Sequence, residues 1–125
     1  MIATLSLCAV AAISAAALAQ PSRKVSESMI LKACLHYLTI RGVECWRANT
    51  GAMKIPGSDR FVRFGKKGMP DIQGYMPDGR AFFCECKSAT GKLRPEQVVF
   101  LERAERCGCK CVVARSVDDL IKAGL

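Results

Sequence analysis

Apolar residues recur at helical spacing in the first charged part of the chain, between residues 25 and 42. One face of this segment carries Ile30, Leu31, Cys34, Leu35 and Leu38. Ser26 has the side chain of an N-cap, and Gly42 suits the left-handed position that ends many helices. The pattern therefore predicts an amphipathic helix over 25–42.

The segments that follow are short and interrupted by turn residues. Residues 43–51 predict a strand that runs into a turn, and residues 53–60 predict a loop because Pro and Gly break them. Residues 61–64 predict a second strand. The glycine-flanked stretch 65–70, which contains two lysines, predicts another loop.

The next two apolar runs predict a β-hairpin, and its turn decides which side chains meet. A two-residue turn at Asp78-Gly79 would require Pro77 to face Arg80 in the ladder, where proline has no N–H to donate. A three-residue loop from Pro77 to Gly79, with Gly79 left-handed, avoids this cost. Met76 then faces Arg80.

This register brings three charged residues to one end of the hairpin. Asp71 falls opposite Glu85, and directly opposed side chains on one face have Cβ atoms about 5 Å apart. Lys87 lies two positions further on the same face. Cys86 points away, but its backbone carbonyl could be a further oxygen ligand. The spacing predicts a site for Mg²⁺ or Mn²⁺, whose preferred ligands are oxygens; the alternative is ordinary charged positions on a surface strand.

Two further residues have both a chemical and a structural interpretation. Gln97 lies on the inner face of a helix predicted between Pro95 and Gly108, beside the end of the Glu85 strand. It is either a buried amide that needs partners or a solvated helix-end glutamine. Glu27 projects from the apolar side of the first helix, either as a carboxylate aimed at a metal or as a first-turn acid that favours the helix dipole.

The chain ends with one more strand and one more helix. Residues 109–116 predict a strand parallel to that of Glu85, because a helix connects the two. Ser116 and Asp119 have the spacing of a capping box for a last helix that ends near Ala123. The predicted order is α-β-β-β-α-β with this closing helix, an α/β fold with a mixed sheet flanked by helices.

Length and charge limit the possible functions. With 125 residues and a net charge of +8, the chain is one basic domain, and its partner is expected to be nucleic acid before membrane. Residues 1–20 carry no charge. They resemble a signal peptide that ends in Ala17-Leu18-Ala19 but lack an early basic residue. The run is barely long enough and too rich in alanine for a membrane span, and a misassigned translation start is a third possibility. The folded domain is therefore placed at 24–125, with a cytoplasmic location favoured and secretion left open.

Eight cysteines raise the question of disulfides or zinc. Without Cys8, which lies in the apolar segment, an odd number remains, and this argues against a fully paired secreted scaffold. Cys107, Cys109 and Cys111 alternate along the chain as one face of a strand would, whereas structural zinc sites use wider ligand gaps. The sequence predicts free thiols.

Three stretches resemble a known nuclease family: "WRANTG", "KKGMPDIQGYMPDGRAFFCECKS" and "GKLRPEQVVFLERAERCG". They are similar to the VRR-NUC domain, a branch of the PD-(D/E)xK nuclease superfamily, and the similarity covers residues from about 26 to 120. It implies a restriction-endonuclease-like fold and a metal-dependent endonuclease of a type that occurs alone in phages and bacteria. Small members of this type look like homodimers that act on branched DNA such as four-way junctions.

The same resemblance assigns roles to single residues. Asp71 and Glu85 correspond to the metal ligands, Lys87 to the catalytic lysine, Gln97 to the helix glutamine and Glu27 to the glutamate of the first helix. Glu27 would support the metal directly or through water.

The resulting hypothesis is a Mg²⁺- or Mn²⁺-dependent DNA endonuclease with no membrane partner. Its expected phosphate contacts are Arg47, Arg63, Lys66, Lys67, Lys92 and Arg94. Phosphate contacts do not read base sequence, so selectivity for DNA structure is expected over a strict sequence preference. A non-catalytic basic DNA-binding module and a secreted disulfide scaffold are the alternatives.

Overall fold

The computed structural model describes residues 23–125, and the apolar segment 1–20 lies outside them. The helices are α1 (Glu27–Ile40), α2 (Pro95–Arg106) and α3 (Val117–Lys122). The strands are β1 (Glu44–Arg47), β2 (Gly51–Lys54), β3 (Phe61–Phe64), β4 (Ile72–Tyr75), β5 (Ala81–Cys86) and β6 (Lys110–Ala114). The predicted α/β class is confirmed. None of the described helices is long and apolar enough to cross a membrane.

The first helix forms as its pattern predicts. Ser26 caps α1 by accepting a hydrogen bond on Oγ from the Met29 N–H at 3.3 Å. The buried side of α1 consists of Ile30, Leu31, Cys34 and Leu38. Gly42 follows the C-cap with φ of 78°, the left-handed conformation that glycine adopts without steric cost.

A four-stranded sheet of order β1-β4-β5-β6 forms the centre of the domain. β4 is antiparallel to both β1 and β5, whereas β5 and β6 are parallel, as predicted for strands joined by a helix. Alternate residues of β5 face opposite sides. Phe82, Cys84 and Cys86 belong to a buried core shared with α1 and α3, while Phe83 contacts Phe100 of α2. The sheet is therefore flanked by helices on both faces.

The predicted register of the β4–β5 hairpin is confirmed. Ile72 pairs with Cys84 and Tyr75 with Ala81. The Met76 N–H donates to the Arg80 carbonyl at 2.8 Å, which leaves a three-residue loop between them. Continuing this register by one residue at the other end places Asp71 opposite Glu85.

The loop predicted at 53–60 is wrong in its first two residues. Met53 and Lys54 belong to β2, which pairs antiparallel with β3 in a separate two-stranded sheet. Proline and glycine in this segment indicated a loop, but they lie only at the tip of the hairpin, where Gly57 has a φ of 77°. Five strands therefore precede α2. This is two more than in the predicted order α-β-β-β-α-β, and one more than the four strands predicted segment by segment.

The predicted capping box of the last helix also differs from the structure. Ser116 is the N-cap of α3, but its side chain makes no capping hydrogen bond. The Asp119 carboxylate instead accepts from the Arg115 N–H at 2.8 Å, one residue before the cap. The helix ends at Lys122, close to the predicted end.

The described cysteines carry free thiols, as predicted. Cys34, Cys84 and Cys86 are buried in the core, whereas Cys107 is exposed. Burial raises the pKa of Cys111 to about 11, so this thiol remains protonated near neutral pH.

The loop before β4 packs directly on the start of α2. Gly68 has a φ of 81°, and a Cβ at this position would clash with the backbone carbonyl of Glu96. Only glycine allows this close approach. The contact fixes the path of the chain into the buried Pro70 and then into Asp71.

We expect Gly68→Ala to destabilise the domain more than Gly79→Ala does. Both glycines have positive φ, but a Cβ at Gly79 meets no atom within 4 Å. Gly79→Ala should cost about 1 kcal/mol for the left-handed conformation, and Gly68→Ala about 2 kcal/mol more because of the clash. Urea unfolding of both variants measures the difference, and equal losses would show that the Gly68 contact is unimportant.

Candidate active site

The centre of the candidate site is a buried carboxylate at the end of β5. Glu85 is only 2% exposed and points to the face of the sheet that α2 covers. An isolated buried carboxylate is costly, so its hydrogen bonds decide whether the charge is tolerated.

Both neighbouring donors bind the same oxygen of Glu85. Oε1 lies 3.0 Å from Lys87 Nζ and accepts a hydrogen bond from Gln97 Nε2 at 2.8 Å. Oε2 is buried and has no hydrogen-bond partner among the described residues. Because buried polar atoms are almost always paired, this second oxygen is available to a ligand.

Gln97 connects the carboxylate to the start of α2. It is 3% exposed, so its predicted inward orientation is confirmed. Its Oε1 accepts from the Arg94 N–H at 2.9 Å, as the third residue of a helix does in a capping box. This bond turns the Nε2 group toward Glu85 and fixes the orientation of the amide.

Asp71 approaches from the neighbouring strand. It lies just before β4, and its Oδ2 accepts from the Cys86 N–H at 2.9 Å. The pKa of Glu85 is raised, first by burial and further by the negative charge of Asp71, while the hydrogen bond from Lys87 opposes the increase. A cation between the two carboxylates would relieve their repulsion.

The donor set suits a hard divalent cation. The unpartnered Glu85 Oε2 and the Asp71 carboxylate are oxygen donors, which Mg²⁺ and Mn²⁺ prefer. Within residues 23–125, no three His, Cys, Asp or Glu side chains are grouped for metal binding. Other ligands would have to be main-chain oxygens, water or substrate, which is usual for Mg²⁺. The role of the Cys86 carbonyl as a ligand stays a prediction.

Glu27 lies beside the site rather than in the carboxylate pair. It is exposed, and its Oε1 accepts from the Ser88 N–H at 3.4 Å, just after Lys87 in the chain. Its predicted support of a metal stays a prediction.

Arg115 is a neighbour that the sequence did not indicate. Its Nη1 donates to the carbonyls of Ser88 and Gly91, so it holds the loop that follows Lys87. More than twenty residues separate Arg115 from these partners, and the local patterns of spacing carried no signal for the contact.

Four of the six predicted phosphate contacts converge on one cavity. This basic cleft, with a volume of about 460 Å³, lies between the β2–β3 hairpin, the loop at 65–69 and the start of α2. Its basic lining residues are Arg63, Lys66, Lys67 and Arg94. Arg47 and Lys92 are exposed but do not line it. The cleft adjoins the site because its lining residue Glu96 precedes Gln97 in α2.

A comparison with protein families agrees with this arrangement. A family model described as the VRR-NUC domain matches residues 25–118. No curated protein matches the chain significantly. The matched range contains the site residues from Glu27 to Gln97 and the basic cleft.

We expect Gln97→Ala to lower the free energy of unfolding by about 2 kcal/mol, since it removes two hydrogen bonds of about 1 kcal/mol each. Glu96→Ala is the matched control: it removes a surface ion pair at 3.7 Å from Arg94 and the acidic side chain in the first turn of α2, which together should contribute about 1 kcal/mol or less. Urea unfolding of the two variants without added metal makes the comparison. Equal effects would contradict the central position of Gln97.

Proposed function

The chain belongs to the VRR-NUC family of nucleases, and on this premise we propose that it is a Mg²⁺- or Mn²⁺-dependent DNA endonuclease that prefers branched DNA such as four-way junctions. The observation that carries the metal dependence is the unpartnered oxygen of the buried Glu85 beside Asp71. A buried carboxylate oxygen without a partner is rare in an ion pair that serves the structure alone.

Asp71 and Glu85 are the proposed metal ligands, with the Cys86 carbonyl as a third and Glu27 in support. When bound, the ion would polarise the scissile phosphate and lower the pKa of the attacking water. Gln97 keeps Glu85 in place by occupying its other oxygen at 2.8 Å. Glu85 therefore presents Oε2 in one orientation, which reduces the reorganisation needed during reaction.

Lys87 supplies the positive charge of the site. Its side chain is about 11% exposed, and its Nζ carries donors beyond the one used on Glu85 Oε1. A remaining donor can orient the attacking water or contact a phosphate oxygen, where it offsets the negative charge that develops during hydrolysis.

The basic cleft is the proposed path of the DNA backbone. Arg63, Lys66, Lys67 and Arg94 line it, and the helix start beside Arg94 favours anions. These contacts position DNA without reading its bases, which is consistent with selectivity for structure. A homodimer would present two such sites to two strands, and we include this assembly in the proposal.

We expect the wild type to cut a labelled four-way junction faster than a linear duplex, with Mg²⁺ or Mn²⁺ and not with EDTA. Lys87→Ala and Glu85→Gln should each lower the rate by about 100-fold or more, as losses of charge-stabilising groups in active sites do. Mn²⁺ should raise the melting temperature of the wild type but not of Glu85→Gln. DNA binding that Glu85→Ala preserves, with no cutting by the wild type, would support the non-catalytic DNA-binding module instead.

We expect Lys66→Ala/Lys67→Ala to weaken DNA binding and to reduce its salt dependence. Each lost phosphate contact should make the negative slope of log K against log salt shallower by about 0.9. Lys122→Ala is the matched control, because this exposed lysine lies on α3 outside the cleft. Fluorescence anisotropy with a duplex at several salt concentrations measures the slopes, and equal changes for both variants would contradict the cleft as the DNA path.

A further inference from the structure

The β2–β3 hairpin stands apart from the main sheet. Its strands pair only with each other, and all eight strand residues are exposed. A two-stranded hairpin is marginally stable by itself in water, and large apolar side chains on it remain in contact with solvent. Such an element is suited to binding.

The two faces of the hairpin differ in chemistry. Met53 pairs with Val62 and Gly51 with Phe64, so these side chains share one face, which Ile55 extends toward the tip. We call Met53, Ile55, Val62 and Phe64 the apolar face; their exposed fractions range from 38% to 59%. The other face carries Ala52, Lys54, Phe61 and Arg63.

The base of the hairpin lies at the basic cleft. Gly51, Ala52, Arg63 and Phe64 line the cleft together with Arg94 of the α2 start, three residues before Gln97. DNA held in the cleft by its phosphates would therefore meet the hairpin close to the scissile position. A two-stranded ribbon is also narrow enough to enter the major groove.

We propose that the apolar face packs against an exposed base pair where a DNA duplex is interrupted, and that it thereby selects branched over linear DNA. This inference rests on the proposed nuclease function and adds the element that recognises the substrate. Apolar side chains act on DNA by inserting at base steps, and this costs unstacking energy in a continuous duplex. At a branch point the stack is already open.

The charge of the hairpin favours DNA, rather than a second copy of the chain, as the partner that binds the apolar face. Residues 51–64 contain three basic residues and one acidic residue, Asp59, which is paired with Lys54 at 3.0 Å. With the Lys54–Asp59 pair neutral, Arg60 and Arg63 leave each hairpin with a net positive charge, which disfavours two hairpins close together and is complementary to DNA.

The test compares two changes on opposite faces of the same hairpin. Met53→Thr/Val62→Thr removes the centre of the apolar face with β-branched residues that suit a strand. Phe61→Thr is the matched control; this residue is on the opposite face and is 66% exposed. We expect the ratio of junction to linear cleavage rates to fall about tenfold in the double variant and less than twofold in the control, which corresponds to about 1.4 kcal/mol of lost discrimination.

A second measurement does not depend on cutting. In a Lys87→Ala background with Mg²⁺, binding should raise the fluorescence of 2-aminopurine placed at the branch point, and Met53→Thr/Val62→Thr should abolish this rise. If no variant cuts DNA but the fluorescence result holds, the nuclease proposal fails and the role of the hairpin stands. An unchanged cleavage ratio and fluorescence in the double variant would overturn the inference, and so would equal effects of Phe61→Thr.

The oligomeric state shows whether the apolar face binds DNA or a second copy of the chain. Light scattering should give the same mass for the wild type and for Met53→Thr/Val62→Thr. A mass that falls by half in the double variant would show that the apolar face joins two copies, and the inference would be wrong.

Discussion

The site depends on how one buried carboxylate is held. Glu85 is placed by β5 in a position that water barely reaches, and Lys87 and Gln97 satisfy only its Oε1. If both oxygens were paired, the group would be a structural ion pair. If neither were, burial would favour its protonated form. With only Oε1 paired, Oε2 is held in one orientation without a partner, which suits the metal-ligand role proposed for it.

Elements from different parts of the chain impose this condition together. The three-residue loop of the β4–β5 hairpin sets the register that brings Asp71 beside Glu85. The parallel pairing of β5 with β6 positions α2 over the sheet, and the capping bond of Gln97 to the Arg94 N–H directs the amide inward. Gly68 allows the loop before Asp71 to lie against the same helix turn. Each of these contacts bears on the position of Asp71, Glu85 or Gln97.

The binding surface follows from the same arrangement. The start of α2, the loop at 65–69 and the base of the β2–β3 hairpin meet around one cavity, and each contributes a basic side chain. These basic side chains therefore lie together on one surface that adjoins the carboxylates. In the proposed complex, the hairpin adds an apolar surface at the edge of this charge, and electrostatic and stacking contacts would act on neighbouring parts of one DNA molecule.

Local rules predicted two of the helices and the register of the central hairpin from the sequence alone. Periodicity and the residues at the helix ends predicted α1 and α2. The missing N–H of Pro77 predicted the register that places Asp71 opposite Glu85. Both predictions succeeded because each depends on interactions between residues close together in the chain. β2 was missed because four exposed residues carry too little pattern against neighbouring turn residues. The asymmetric pairing of Glu85, the loop contacts of Arg115 and the convergence of the cleft were decided only by the tertiary structure. Each joins segments far apart in the chain, and spacing along a sequence does not encode distances across a fold.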